Sequence, residues 1–332
     1  MRFLYITDTH FRGNSPQNRM DDFPQTLRKK MEEVVKAAQD LQVEAVLHGG
    51  DLFEIPNPAV NVVGDVVRFL KALGKPFYIV PGNHDLFGQN PQTLNRTMLG
   101  LLGQVGLLKI LEPGEKVFFK KDGVRLQLTG QGYHFDLDTE RGREGYLVKN
   151  KEADLAIHIV HGMLLDRPFF QTVAYTLIDD IKETEADLTL TGHAHLGFNE
   201  IVVNNKKFIN PGALVRTTVL PAEVHRLPQM VLIEVGKEGI TTKFLPLKTA
   251  LPGEQVLNIE KATEMKLREE RLARIISEVR TGGDFRSLKL ENILREIAQK
   301  EQLPEEVREE ALKRIAQAEI EMAREEVDDD VP

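Results

Sequence analysis

The chain has 332 residues, 41% of them hydrophobic and 28% charged, which suits one large globular domain with an appendage, or two domains. It contains no cysteine, so disulfides and thiolate metal sites are excluded, and a cytoplasmic setting is expected. The net charge of −8 is uneven: residues 253–332 carry 21 acids and 14 bases, a net of −7, and the first 252 residues net only −1. An acidic tail is poorly suited to a nucleic acid backbone and better suited to a protein or to solvent. The opening MRFLYIT is too short for a signal peptide, and no apolar run is long enough to span a bilayer.

In chain order, short β-type runs alternate with helical patterns. Strands are expected over Arg2 to Thr7, Ala45 to His48, Pro76 to Val80, Arg125 to Thr129, Leu155 to Val160, Leu188 to Thr191 and Lys206 to Ile209. Phe23 to Asp40 places Leu27, Met31, Val34, Val35 and Ala38 at helical spacing, and Val60 to Leu73 repeats the pattern. Strand, helix, strand, helix, strand predicts βαβ units and a parallel start. After about residue 115 the runs crowd together with little helix, which predicts added antiparallel strands. Met230 to Val235 and Ile240 to Leu245 form an expected hairpin over Gly236 to Gly239. Pro252-Gly253 is the expected boundary between a catalytic region, 1–252, and an acidic helical extension, 253–332. Three amphipathic helices are expected there, over Glu260 to Arg280, Leu288 to Gln299 and from Pro304 onward.

Five polar clusters follow five apolar strands: Asp8-Thr9-His10, Gly50-Asp51, Gly82-Asn83-His84-Asp85, His161-Gly162 and Gly192-His193-Ala194-His195. In open α/β sheets the carboxyl edge of the strands is where ligands bind. Two Asp, one Asn and four or five His form a donor set for hard or borderline divalent ions. Seven such ligands exceed what one catalytic ion needs and suit two ions, with Asp51 as the natural bridge; such pairs lie roughly 3.5–4 Å apart and clamp a phosphate.

With these blocks, residues 1 to about 250 resemble the calcineurin-like metallophosphoesterase superfamily. The resemblance implies a two-layer β-sandwich flanked by helices, an α/β fold with a binuclear site. Carried over by residue, it implies that Asp8, His10, Asp51 and His195 hold one metal and that Asp51, Asn83, His161 and His193 hold the other. His84 would protonate or stabilise the leaving oxygen opposite an in-line attack on phosphorus, with Asp85 orienting its ring. The chain departs from the G-D-x-V-D-R-G and G-N-H-E blocks of Ser/Thr phosphatases. Gly50-Asp51-Leu52-Phe53, Gly130-Gln131-Gly132-Tyr133 and Asn210-Pro211-Gly212-Ala213-Leu214-Val215-Arg216 are more similar to SbcD-type DNA repair nuclease subunits. That similarity implies a Mn2+-dependent DNA phosphodiesterase, an extension that caps the site and binds a coiled-coil ABC-type ATPase, and no membrane; it leaves a homodimer open. Two rival readings stand beside it: a phosphoesterase for small substrates such as nucleotides or cyclic nucleotides, and a scaffold without chemistry. The complete ligand set argues against the scaffold.

Other polar residues have plainer readings. His48 and His158 lie inside strands and are expected to be structural, and His225 is expected at the surface. Arg12 and Arg19, in the polar loop after His10, and His134, in the turn after Tyr133, are candidate substrate contacts.

Overall fold

A computed structural model describes residues 1–168, 173–260 and 310. The first half supplies β1 (Arg2–Ile6), α1 (Phe23–Asp40), β2 (Ala45–His48), α2 (Val60–Leu73), β3 (Phe77–Ile79), α3 (Met98–Gln104) and β4 (Lys109–Ile110). Then come β5 (Val117–Lys121), β6 (Val124–Gln131), β7 (Leu155–Val160), β8 (Leu164–Leu165), β9 (Thr176–Leu177), β10 (Leu188–Thr191), β11 (Phe198–Val203) and β12 (Lys206–Asn210). The described fold closes with α4 (Pro221–His225), β13 (Gln229–Gly236), β14 (Gly239–Pro246) and α5 (Gly253–Val256).

Two six-stranded sheets result, in the orders β14-β13-β1-β2-β3-β4 and β11-β12-β10-β7-β6-β5. Alternation along β1 shows why they stack. Phe3 and Tyr5 pack into an inter-sheet core with Leu126, Leu128, Ile157, Ile159, Leu188 and Leu190. Leu4 and Ile6 point the other way, into a core with Leu27, Met31 and Val34 of α1 and Val66 and Phe69 of α2. Successive strand side chains face opposite sides, so a strand apolar at every position is buried on both. The outer face of the second sheet is covered by loops that bring Leu137, Tyr146, Leu164, Ile178 and Ile181 onto Val160 and Phe208. The two-layer sandwich flanked by helices is therefore the fold.

Helix α1 starts where Asp22 accepts a hydrogen bond from the Gln25 amide, with Pro24 in its first turn, and α2 stops at Gly74 in the left-handed region. The hairpin closes with Gly236 opposite Gly239. The expected antiparallel strands are present in β5–β6, β11–β12, β1–β13 and β13–β14, but they are not the whole of the second half. The second sheet is mostly parallel: β10 runs parallel to β12 and β7, and β7 to β6; only its outer pairs, β5–β6 and β11–β12, are antiparallel. Parallel crossovers are usually helical. The crossovers here, residues 132–154 and 161–187, hold only short 3-10 turns and the two-residue strands β8 and β9 among their described residues, so the helical signal of a parallel crossover is missing from the sequence.

The chain divides into two compact units, Met1–Ala262 and Thr263–Pro332. The start of the expected extension belongs to the first. The Met20 amide donates to the Val256 carbonyl and the Asn258 amide to that of Asn18. The three expected helices lie outside the described residues, apart from Glu260 at the start of the first and Glu310 within the third. No described helix is long and apolar enough to cross a membrane.

Candidate metal centre

The carboxyl ends of β1, β2 and β3 in one sheet and of β7 and β10 in the other open onto a common edge. The loops there are tied to each other: Asp8 N–H donates to Gly50 O, His10 N–H to Asp51 O and Phe11 N–H to Leu52 O. Asp8, His10, Asp51 and His193 all have positive φ, between 46° and 71°. Non-glycine residues seldom adopt this region, and the strain persists only where the surroundings over-determine it. Gly82 shows how closely the loops approach, since a Cβ there would lie 2.1 Å from Asp51 Oδ1.

Three candidate ligand groups converge, one of them His10, Glu54 and His84, and the other two meet at Asp51. Asp8, His10, Asp51 and His195 bring ligand atoms within 4.8 Å of one another, and Asp51, His161 and His193 do the same. Asp51 is common to both: its Oδ2 lies 3.6 Å from His10 Nε2 and 3.4 Å from His161 Nε2. Asn83 Oδ1 sits 3.2 Å from His161 Nε2. His10 Nε2 faces His195 Nε2 at 3.1 Å, and His195 Nε2 is 3.7 Å from Asp8 Oδ1. Asp51 Oδ2 is buried without a hydrogen-bond partner. A buried orphan carboxylate oxygen surrounded by converging imidazole nitrogens is costly unless a cation satisfies it. The donor set and its arrangement thus fit two divalent ions sharing Asp51.

The electrostatics agree. His193 and His195 are pushed down to about 4, first by burial. Burial opposes charge on His161 too, but the adjacent Asp51 carboxylate outweighs it and holds the ring up to about 9. Asp51 is itself held well below the ordinary carboxylate range: burial acts against this, and His161 and His10 overcome it. His161 Nδ1 lies 2.6 Å from the Gly49 carbonyl. A carbonyl only accepts, so Nδ1 carries the proton and Nε2 is left to coordinate.

His84 stands beside the cluster, its ring 4.9 Å from that of His10. Its amide donates to Asp51 Oδ1 at 2.8 Å, and its Nδ1 donates to the Glu54 carbonyl at 2.9 Å. By the same logic Nε2 is its free nitrogen.

Comparison with known proteins agrees with this geometry. The family model for calcineurin-like phosphoesterases matches residues 1–197. The chain belongs to the calcineurin-like phosphoesterase family. That family uses divalent metals, and the clusters described above are candidate sites for them. Among curated relatives of this family member, the DNA double-strand break repair protein Mre11 of Methanosarcina mazei is 37% identical over 112 residues, 32% of this chain and 17% of the relative. Mre11 of Halobacterium salinarum is 26% identical over 200 residues, 58% of this chain and 47% of the relative. The double-strand break repair protein mre-11 of Caenorhabditis elegans is 23% identical over 313 residues, covering 76% and 42%. In each of these the chain spans less than half of the relative's length. A solved structure, GAP50 the anchor in the inner membrane complex of Plasmodium, superposes with a TM-score of 0.51 at 16% identity over 75% of this chain and 85% of that one, a likeness of fold alone.

Two expected roles in this phosphoesterase do not survive the structure. Asp85 does not meet the His84 ring. Its fully buried carboxylate accepts from the amides of Leu52, Phe53 and Gly82 and clamps two loops together; the Glu54 carbonyl takes the ring instead. Burial, then the Asp51 charge, raises Asp85 to about 6. Arg19 is an interior residue. Its guanidinium makes a two-pronged bond to Asp21 and donates to the Arg216 carbonyl, which keeps it from substrate. Arg12 is on the rim, with Nη1 3.2 Å from Glu54 Oε1. His134 is half-buried in the loop after β6, one residue past Tyr133, whose ring tilts over His193 at 5.5 Å between centroids. His48 and His158 are structural: His48 accepts from the Gly50 amide and bonds Thr9, and His158 bridges Thr129 and the Gly145 carbonyl. His225 is exposed on α4. Sequence reasoning missed Glu54. The only signal was that it breaks the phosphatase motif two residues after Leu52.

Proposed function

We propose that this phosphoesterase is a Mn2+-dependent DNA phosphodiesterase of the SbcD type that processes DNA ends in repair. The observation that carries the reading is the shared carboxylate: two converging ligand groups meet at Asp51, with His84 Nε2 beside them. The names of the Mre11 relatives, DNA double-strand break repair proteins, support DNA as the substrate. In this reading Asp8, His10, Asp51 and His195 hold one ion, and Asp51, Asn83, His161 and His193 the other. Two such ions polarise phosphoryl oxygens and supply a nucleophile at neutral pH.

The chain's own residues do the rest. Asp51 fixes the spacing of the two halves. His84, anchored through its amide and Nδ1, presents Nε2 to the leaving oxygen and, as the doubly protonated imidazolium, delivers the Nε2 proton there, leaving the Nδ1–H tautomer. Arg12 positions a backbone phosphate, and His134 is a second substrate contact. The acidic segment 253–332 docks a coiled-coil ABC-type ATPase, whose own contacts supply the positive charge that the near-neutral catalytic unit lacks. The setting is cytoplasmic.

A 3′-labelled DNA duplex and a cyclic nucleotide, offered in parallel to the Mn2+-loaded protein, test the reading. Duplex cleavage that EDTA stops is the expected result. Rapid hydrolysis of the cyclic nucleotide with an intact duplex makes the small-substrate reading correct instead.

A further inference from the structure

Glu54 is in neither ligand set of the two-metal reading, yet it clusters with His10 and His84 and three functional groups converge on it. Its Oε2 is 3.1 Å from His10 Nδ1, its Oε1 is 3.2 Å from Arg12 Nη1, and its backbone carbonyl accepts from His84 Nδ1 at 2.9 Å. The His10 ring therefore has two distinct edges. Nε2 faces Asp51 and His195, and Nδ1, buried and without a formed hydrogen bond, lies at ion-pair distance from the Glu54 carboxylate. An imidazole that coordinates through one nitrogen carries a proton on the other, and a carboxylate there fixes the tautomer, orients the ring and increases its donor strength. His10 needs such a device, because its backbone is held at φ 46° and its side chain is 2% exposed.

We infer that Glu54 is a positioning residue for the metal held by His10, and that its side chain and main chain serve two different histidines. The inference rests on the two-metal reading above. The carboxylate sets His10 for coordination. The carbonyl sets His84 for proton delivery. Arg12 takes the second carboxylate oxygen, which keeps the carboxylate turned toward His10 and joins the substrate rim to the metal ligand. Substituting the side chain removes the first function and leaves the second, because the carbonyl stays.

The two functions separate in metal titration. Mn2+ binding is measured by calorimetry on the full chain and on Glu54→Ala and Glu54→Gln, with thermal melts as a check on folding. Glu54 is about one-quarter exposed, and neither substitution opens a core cavity. Wild type is expected to bind two equivalents of Mn2+. A wild type that binds fewer defeats the two-metal reading itself, whatever the variants do. Glu54→Ala is expected to weaken one of the two ions by about 10–100-fold, the usual effect of losing the partner of a ligating histidine, and to leave the other unchanged. Glu54→Gln, which keeps an acceptor but no charge, is expected in between. Turnover of a generic phosphodiester by Glu54→Ala should fall at limiting Mn2+ and climb back as Mn2+ is raised; for His84→Ala no amount of metal should restore it. Wild-type Mn2+ affinity in Glu54→Ala overturns the inference. So does a turnover defect that saturating Mn2+ leaves in place, which would make Glu54 a substrate contact.

Discussion

His84 is held from both ends. Its amide binds Asp51 and its Nδ1 binds the Glu54 carbonyl, so the orientation of the ring is fixed. In the proposed reading this arrangement separates proton delivery from metal binding. His84→Ala should keep both Mn2+ equivalents in elemental analysis and lose about 10²–10⁴-fold in turnover, the usual contribution of a positioned acid. Loss of an equivalent would make His84 a ligand. A leaving group that needs no proton, such as a nitrophenolate, should suffer much less than an alkoxide, and equal losses on the two substrates would remove the proton from the account. At this scale the convergence of the candidate ligands was legible because chemistry restricts their types: carboxylate, amide and imidazole, each just after a strand. The residues that aim the ligands were not. Glu54, Asp85 and Gly49 act through main-chain groups or across loops, and neither kind of contact leaves a spacing pattern.

At the scale of elements, the seven expected strands and both long helices stand where alternation and 3.6-residue periodicity put them. Two-residue strands such as β4, β8 and β9 are too short to carry a period. Strand β11 is an edge whose Asn199 and Glu200 break the apolar pattern. The Asn210 to Arg216 block was legible as a resemblance but not as a device. Its amides hold the site: Ala213 N–H donates to His195 O, and Leu214 N–H to Thr7 O. Its carbonyls are capped by basic side chains from distant parts of the chain. Arg226 donates to Ala213 O and Val215 O, Lys30 to Leu214 O, and Arg19 to Arg216 O. Arg216 in turn caps the carbonyls of Arg226 and Leu251. These partners lie far apart in sequence, so only the folded chain reveals the brace. Arg226→Ala uncaps two carbonyls at once, and each buried group left unsatisfied costs about 1–3 kcal/mol. A loss of about 2–5 kcal/mol in urea unfolding is expected, with weaker Mn2+ binding through His195. A change under 0.5 kcal/mol would show that water replaces the guanidinium without penalty.

Across the whole first unit, the cluster makes metal binding and stability depend on pH in opposite directions. Without metal, His161 is held up to about 9 by Asp51 against the effect of burial. His10 is also raised; burial lowers it, and Glu54 and Asp51 more than compensate. A histidine raised above its unfolded value of about 6.5 contributes stability that is complete below that pH and is lost as pH climbs through the folded value. The metal-free protein should therefore lose melting temperature between about pH 6.5 and 9. An ion must displace the same protons, so Mn2+ affinity should rise over that window, by up to about tenfold per pH unit for each proton released. His193 and His195, at about 4, have no proton to give there. At Mn2+ about 100-fold above its dissociation constant, the bound ion adds about 2.7 kcal/mol. In a unit of this size that is about 5–11 °C of melting temperature, and the gap between metal-loaded and EDTA-treated protein should widen from pH 6.5 to 8.5. Calorimetry at pH 7.5 in buffers of different ionisation enthalpy counts the protons directly. One to two released per protein is the expected result. None released would mean that the histidines are already neutral, and the ion pair between His161 and Asp51 would then not organise the empty site.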